Sequence, residues 1–314
     1  MIVSGIINRL LGTFNLAMTR RSTLDKLRND SVILKALLEE TKTLVTNEEL
    51  SNVINELRIE LTRHQISLKW NIIDALGKDE WFSAGRLRRC PLCGYEDFEA
   101  VFPIYRTQCC FGGGGLVRFQ CPACDLIFGA DKMFKLTDTE LNQEYEWHYR
   151  VYSEGDSTAQ EIRAFHSLNP SKSGVYLNYG AGAWSNTMQL LKAEGWNVYA
   201  YEPHASACSG DAYVINDKSV LSAMKFDGLF SNNLLEHLRW PIEELVFMKS
   251  LLNPNASMSH ATPCFAYLCE YTRFHLYFYL GRSREVLASK AGLLMSDFIE
   301  DGVFMNVIYK PVQT

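Results

Sequence analysis

Residues Leu177-Asn178-Tyr179-Gly180-Ala181-Gly182-Ala183-Trp184-Ser185 (LNYGAGAWS) follow a hydrophobic run and precede an amphipathic one. The two glycines let the chain turn sharply from a strand into a helix beginning near Trp184 or Ser185, and let backbone approach a ligand closely. A dinucleotide fingerprint needs G-x-G-x-x-G, and here Ser185 holds the last position, which disfavours nicotinamide and flavin. Glu202 ends the next strand-like run, NVYAYEP, where a carboxylate can accept hydrogen bonds from both hydroxyls of a ribose.

Working outward from this loop, GVYLNY, NVYAYE, AYVIN, FDGLFS, SMSHAT, MSDFI and FMNVIYK read as strands. They alternate with the helical runs NTMQLLKAEG, SVLSAM, PIEELVFMKSLL and SREVLASKAG, the texture of an open α/β sheet over residues 171–314. In such sheets ligands sit beyond the carboxyl ends of the strands, so the site is expected after the first, second and fourth of them.

Upstream, residues 131–170 read as an aromatic connector and lid containing Tyr145, Trp147, His148, Tyr149 and Tyr152, and ending in the helix STAQEIRAFHSL. Residues 86–130 carry Cys90-Pro-Leu-Cys93 and Cys121-Pro-Ala-Cys124. Each C-x-x-C presents two thiolates from a tight knuckle, and two knuckles complete the tetrahedral sulfur site that zinc prefers. Four protein ligands leave no open coordination position, so this zinc is expected to staple a small ribbon, with Cys109 and Cys110 outside its shell. The basic run GRLRR before it reads as a solvated edge.

Residues 1–85 read as helical. Leu24, Leu27, Val32, Ile33, Leu34, Leu37 and Leu38 form one apolar set, and Leu50 through Leu76 carry another, opened by a Thr46–Glu49 capping box. Residues 1–21 have helical apolar periodicity with Arg9, Arg20 and Arg21 as their charges, a pattern that fits a membrane-interface helix and equally a helix packed on protein. The nine cysteines, odd in number and partly in C-x-x-C pairs, together with the lack of a secretory leader, favour a reducing compartment. The expected location is cytoplasmic, and the membrane-interface reading of residues 1–21 would place the chain on the inner face of the membrane. A formal net charge of -5 argues against a general nucleic-acid binder, and no apolar run is long enough for a transmembrane helix.

The stretches LNYGAGAWSNTMQLLKAEGWNVYAYEP, FDGLFSNNLLEHLRWPIEELVFMKSLLNP, and SHATP followed by FHLYFYLGRSREVLASKAGL resemble the class I S-adenosylmethionine-dependent methyltransferases. With CPLCG, CPACDLIF and EYEWHYRVYSEGD, the chain is similar to the zinc-ribbon-bearing bacterial branch whose members methylate sugars, often nucleotide-linked, or serve surface-polysaccharide and natural-product pathways. The resemblance implies a seven-stranded, mostly parallel Rossmann-like sheet with the last strand antiparallel, and S-adenosylmethionine as cofactor. Gly180 and Gly182 then bend around the methionine portion, Glu202 binds the ribose, and Ser231 and Asn232 face the cleft, with Glu236 and His237 starting the next helix. Asn178 stands where an acid is customary, and Trp184 where a third glycine is frequent.

A hydroxyl or weakly acidic carbon acceptor benefits from a base, for which His237 and His275 are the candidates. Tyr271, Arg273 and Tyr277 are the candidates for binding the acceptor. The expected activity is methyl transfer to a small carbohydrate-like acceptor. Two other readings stand beside it. Asn178 and Trp184 motivate an inactive scaffold that organises protein partners or a membrane assembly through the N-terminal helices. GRLRR motivates an RNA methyltransferase, which the acidic total charge disfavours.

Overall fold

The computed structural model describes residues 29–35, 47–77, 84–153, 155–182, 185–203 and 213–312. The expectations for residues 1–21, Thr46 and Trp184 lie outside these residues. The chain divides into two units, Met1–Ile59 and Glu60–Thr314. In the first, residues 29–35 are helical and the long helix Asn47–Leu76 begins, exposing Leu50, Val53, Ile54 and Leu57. In the second unit the same helix buries Ile66 and Trp70. Among the described residues, no helix is long and apolar enough to cross a membrane.

The second unit contains the cysteine region and the α/β sheet. Leu87–Arg89 (β1) and Glu96–Phe98 (β2) form an antiparallel hairpin around the first C-x-x-C. Ile104–Gln108 (β3), Gly115–Gln120 (β4) and Leu126–Gly129 (β5) form an antiparallel meander that holds the second pair in the turn between its last two strands. The helix Asp138–Val151 follows, opened by a capping box in which Thr137 and Glu140 satisfy each other's backbone N–H groups.

The main sheet begins with Val175–Tyr179 (β6), which leads into the glycine loop, followed by Asn197–Tyr201 (β7), Val214–Ile215 (β8), Phe226–Asn232 (β9) and Leu252–Ala261 (β10). These five run parallel, and β6 is buried along nearly its whole length, as an interior strand covered on both faces must be. The chain then leaves this sheet. Tyr277–Tyr279 (β11) pairs antiparallel with β5 and makes the cysteine-region meander four-stranded. Leu293–Glu300 (β12) and Met305–Pro311 (β13) return to the main sheet, giving the order β12-β13-β10-β9-β6-β7-β8. The last strand is antiparallel to both its neighbours, in agreement with the expected seven-stranded architecture.

Helix Thr158–His166 is fixed on the sheet by Phe165, whose ring meets Tyr176, Trp196 and Phe230 edge to face at 5.0–5.4 Å. Two helix starts differ from expectation. The helix after the glycine loop begins at Thr187, beyond Ser185. Glu236 and His237 lie in a short 3-10 turn, Leu235–His237, while the helix itself begins at Pro241, whose fixed φ and missing N–H suit a first helical turn.

Candidate active site

Gly180 and Gly182 have φ of 74° and 61°, the left-handed region that residues with a Cβ avoid. A Cβ at Gly180 would also lie 2.8 Å from Leu234 Cδ1. The Gly180 N–H donates to the Tyr201 carbonyl at 2.8 Å, and the Gly182 N–H donates to Glu202 Oε2 at 3.0 Å. These bonds tie the loop after β6 to the end of β7, bringing Gly180, Gly182 and Glu202 together.

Asn178 is buried at the end of β6, where its Nδ2 donates to Glu161 Oε2 at 2.8 Å and its Oδ1 has no partner among the described residues. Glu161, on the helix Thr158–His166, also accepts from Ser157 Oγ at 2.6 Å and Ser185 Oγ at 2.9 Å. Sequence reasoning passed over Glu161, because a glutamate in a short amphipathic helix reads as a solvated residue. Its burial follows from partners distant in sequence. Ser231 is fully buried and shares a 2.8 Å hydrogen bond with His260 Nδ1, whereas the adjacent Asn232 lines a cavity.

That cavity, of about 330 Å³, lies beyond the ends of β9 and β10 and is lined also by Ser157, Gln160, His237, Tyr271 and His275. His275 Nδ1 is 2.9 Å from the Cys269 carbonyl, which can only accept, so Nδ1 carries the proton and Nε2 keeps its lone pair. His237 Nδ1 is buried without a partner, and the two imidazoles meet edge to face at 4.9 Å. Burial holds His237 at about 4 and His275 well below the usual histidine value, leaving both neutral. Glu236 is buried beside them and accepts from the Thr262 hydroxyl at 2.6 Å. Glu236, His237 and His275 present atoms within 4.8 Å of one another, a group able to take up a proton or a cation. A third histidine, His148, also lines the cavity; burial first, then the Arg273 charge, depress it to about 3. The sequence places His148 in an aromatic run, and it does pack on Phe111 and Tyr152.

Of the three residues expected to bind the acceptor, Tyr271 lines the cavity, and Arg273 and Tyr277 do not. Arg273 is fully buried, with its Nε 3.0 Å from Glu144 Oε2 and a second nitrogen at 2.9 Å. Glu144 also accepts from Lys69 and the Trp70 indole, so Arg273 is engaged by a buried carboxylate inside the protein, which corrects the expectation that it binds the acceptor. Tyr277 is buried on β11 and its hydroxyl donates to the Arg239 carbonyl, a packing role in place of the expected contact with the acceptor.

Cys90, Cys93, Cys121 and Cys124 converge with all four Sγ atoms within 4.8 Å, a group able to hold a metal ion. Cys90 Sγ lies 3.7 Å from Cys124 Sγ, and Cys93 Sγ 3.5 Å from Cys121 Sγ. The hydrogen bond with Cys124 lowers Cys90, while burial raises Cys121. Cys109 stands apart, against Arg273, and Cys110 is exposed. The cysteine region is also built into the cavity wall: Arg118 on β4 is fully buried and donates to the carbonyls of Glu270, Thr272 and His275 at 2.8–3.1 Å.

The main sheet, with its one reversed strand and its glycine loop tied to Glu202, has the architecture that the resemblance implies. In its strand order and its one reversed strand, the sheet is that of the class I methyltransferase fold. No protein-family model matches the chain, and neither does any curated protein. Among solved structures it is similar to CalO1, a methyltransferase in calicheamicin biosynthesis, in its SAH-bound form, at 14% identity and a TM-score of 0.39, over 56% of this chain and 59% of that one. The mitomycin 7-O-methyltransferase MmcR gives 10% identity and a TM-score of 0.40, over 56% and 58%. The Burkholderia thailandensis 1,6-didemethyltoxoflavin-N1-methyltransferase gives 13% and 0.43, over 63% and 96%. The chain therefore spans less than two thirds of the length of the first two.

Proposed function

We propose that this protein transfers a methyl group from S-adenosylmethionine to a hydroxyl or carbon of a small carbohydrate-like acceptor. The observation that carries this reading is the position of two features at the carboxyl edge of one parallel sheet: the Gly180–Gly182 loop bonded to Glu202, and a cavity holding two neutral histidines. The residues fit the donor. Gly180 and Gly182 keep the backbone open, Glu202 offers the ribose a carboxylate, and the unpartnered Asn178 Oδ1 is a buried acceptor awaiting a donor. When bound, the donor supplies an electrophilic methyl group.

The protein's own part is to position the acceptor, exclude water and accept a proton. Asn232, Ser157, Gln160 and Thr262 give the cavity the amide and hydroxyl groups that suit an acceptor with several hydroxyls. Tyr149 and Tyr152 line its aromatic side with Phe111, and Tyr271 serves as an acceptor contact. The lone pair of His237 Nδ1 or His275 Nε2 takes the acceptor proton, and the neighbouring Glu236 carboxylate offsets the imidazolium charge that forms. The four cysteines suit zinc, which in a closed tetrahedral sulfur site is structural. The exposed Leu50, Val53, Ile54 and Leu57 of the long helix support a protein-docking role for its first half.

The test is transfer of an isotopically labelled methyl group from the donor to sugar nucleotides, lipid-linked glycans and RNA, assayed side by side. Label in a carbohydrate product is the expected result. Label recovered in RNA alone, or no transfer to any carbohydrate, contradicts the proposal.

A further inference from the structure

Glu161 is 4% exposed, and its carboxylate is held by three neutral donors: Ser157, Asn178 and Ser185. Buried carboxylates are ordinarily balanced by a cation. Among the described residues, no lysine, arginine or histidine forms an ion pair with Glu161, and the nearby Arg163 pairs with Asp301 instead. The amide of Asn178 must turn its Nδ2 toward this acceptor-only carboxylate, which fixes Oδ1 on the other side, buried and without a donor. Among the described residues, an anion without a cation and an acceptor without a donor thus lie one hydrogen bond apart. They sit at the carboxyl end of β6, two residues before Gly180, and Ser157, bonded to the same carboxylate, lines the cavity. A primary ammonium group, with one positive charge and three N–H donors, completes this set.

We propose that Glu161 supplies the negative charge absent at position 178, so that Glu161 and Asn178 together form the subsite for the α-ammonium group of the methyl donor. This rests on the methyl-donor reading of the glycine loop. The anionic role has moved from the end of the strand to the preceding helix, with Asn178 as the neutral relay between them.

Calorimetric titration of the full chain with S-adenosylhomocysteine and with methylthioadenosine, which lacks the amino-acid portion, tests the subsite apart from the nucleoside contacts. Glu161→Gln keeps the shape and removes the charge. It is expected to weaken S-adenosylhomocysteine by about tenfold or more and to leave methylthioadenosine unchanged. Adding Asn178→Asp, which returns a carboxylate to the strand, is expected to recover most of the loss. On the unaltered chain, a des-amino analogue of S-adenosylhomocysteine should bind about tenfold or more weakly, a comparison that holds even if Glu161→Gln fails to fold. Equal affinity of the unaltered chain for S-adenosylhomocysteine and its des-amino analogue overturns the proposal. So does a Glu161→Gln protein that binds S-adenosylhomocysteine as tightly as the parent, or that weakens both nucleosides alike. If the unaltered chain binds methylthioadenosine but gains nothing from the amino-acid portion, the subsite alone falls. If it binds neither nucleoside, the methyl-donor reading falls with it.

Discussion

At the scale of single residues, the proposed reaction gives the proton-accepting role to the two cavity histidines, and their burial sets the pH at which they would work. A histidine whose native pKa is depressed stays in its basic form as pH falls through the ordinary value near 6.5, and loses it only near its native value, about 4 for His237. The parent kcat should therefore show no protonation step between about pH 7 and about pH 5, and an acid limb centred near pH 6.5 would count against these histidines as bases. Replacing the proton acceptor, by His237→Ala or His275→Ala, should lower kcat by about 10²–10⁴-fold while donor affinity holds, as steady-state kinetics and calorimetry together would show. If both variants keep the parent kcat, neither imidazole is the base. Sequence made Gly180, Gly182 and Glu202 legible, since each sits at the end of a strand that its own apolar run defines. Glu161 was not legible, because its burial depends on Asn178 and Ser185, which only the folded sheet brings to it. Arg273 misled for the same reason, its counterion Glu144 lying far away in sequence on the helix Asp138–Val151.

At the scale of elements, the cysteine pairs could be read because their ligand atoms are neighbours along the chain. The strands β6, β7 and β9 could be read because their apolar runs have the length of one buried strand. β10 extends further back than SMSHAT because Pro254 and Asn255, the latter at φ 67°, occupy an irregular stretch where the register with β9 shifts. β11 escaped notice because YFY sits in a uniformly aromatic segment and finds its partner, β5, only through a long-range antiparallel pairing. That pairing and the Arg118 bonds make the cysteine region a support for the segment carrying Tyr271 and His275. The purified chain is expected to contain about one zinc per molecule, as a closed four-thiolate site holds one ion. The double variant Cys90→Ser, Cys121→Ser should lose it on metal analysis, unfold at lower temperature and lose acceptor methylation. Full zinc retention by that variant would exclude this site.

At the scale of the whole molecule, the path of the chain explains how one edge gathers both halves of the site. It leaves the main sheet after β10, passes through the Tyr271–His275 segment, adds β11 to the cysteine-region sheet, and returns as β12 and β13. The cavity thus draws its wall from the ends of the main-sheet strands and from the Tyr271–His275 segment that Arg118 of the cysteine region holds. The proposed methyl transfer requires the loop tied to Glu202 to be a methyl-donor site. The most direct test is calorimetric titration of S-adenosylmethionine into the intact chain and into Glu202→Ala. Saturable binding by the intact chain, weakened about tenfold or more in a variant of unchanged thermal stability, is the result the account predicts. Absence of binding by the intact chain, or equal affinity in the two proteins, would contradict it.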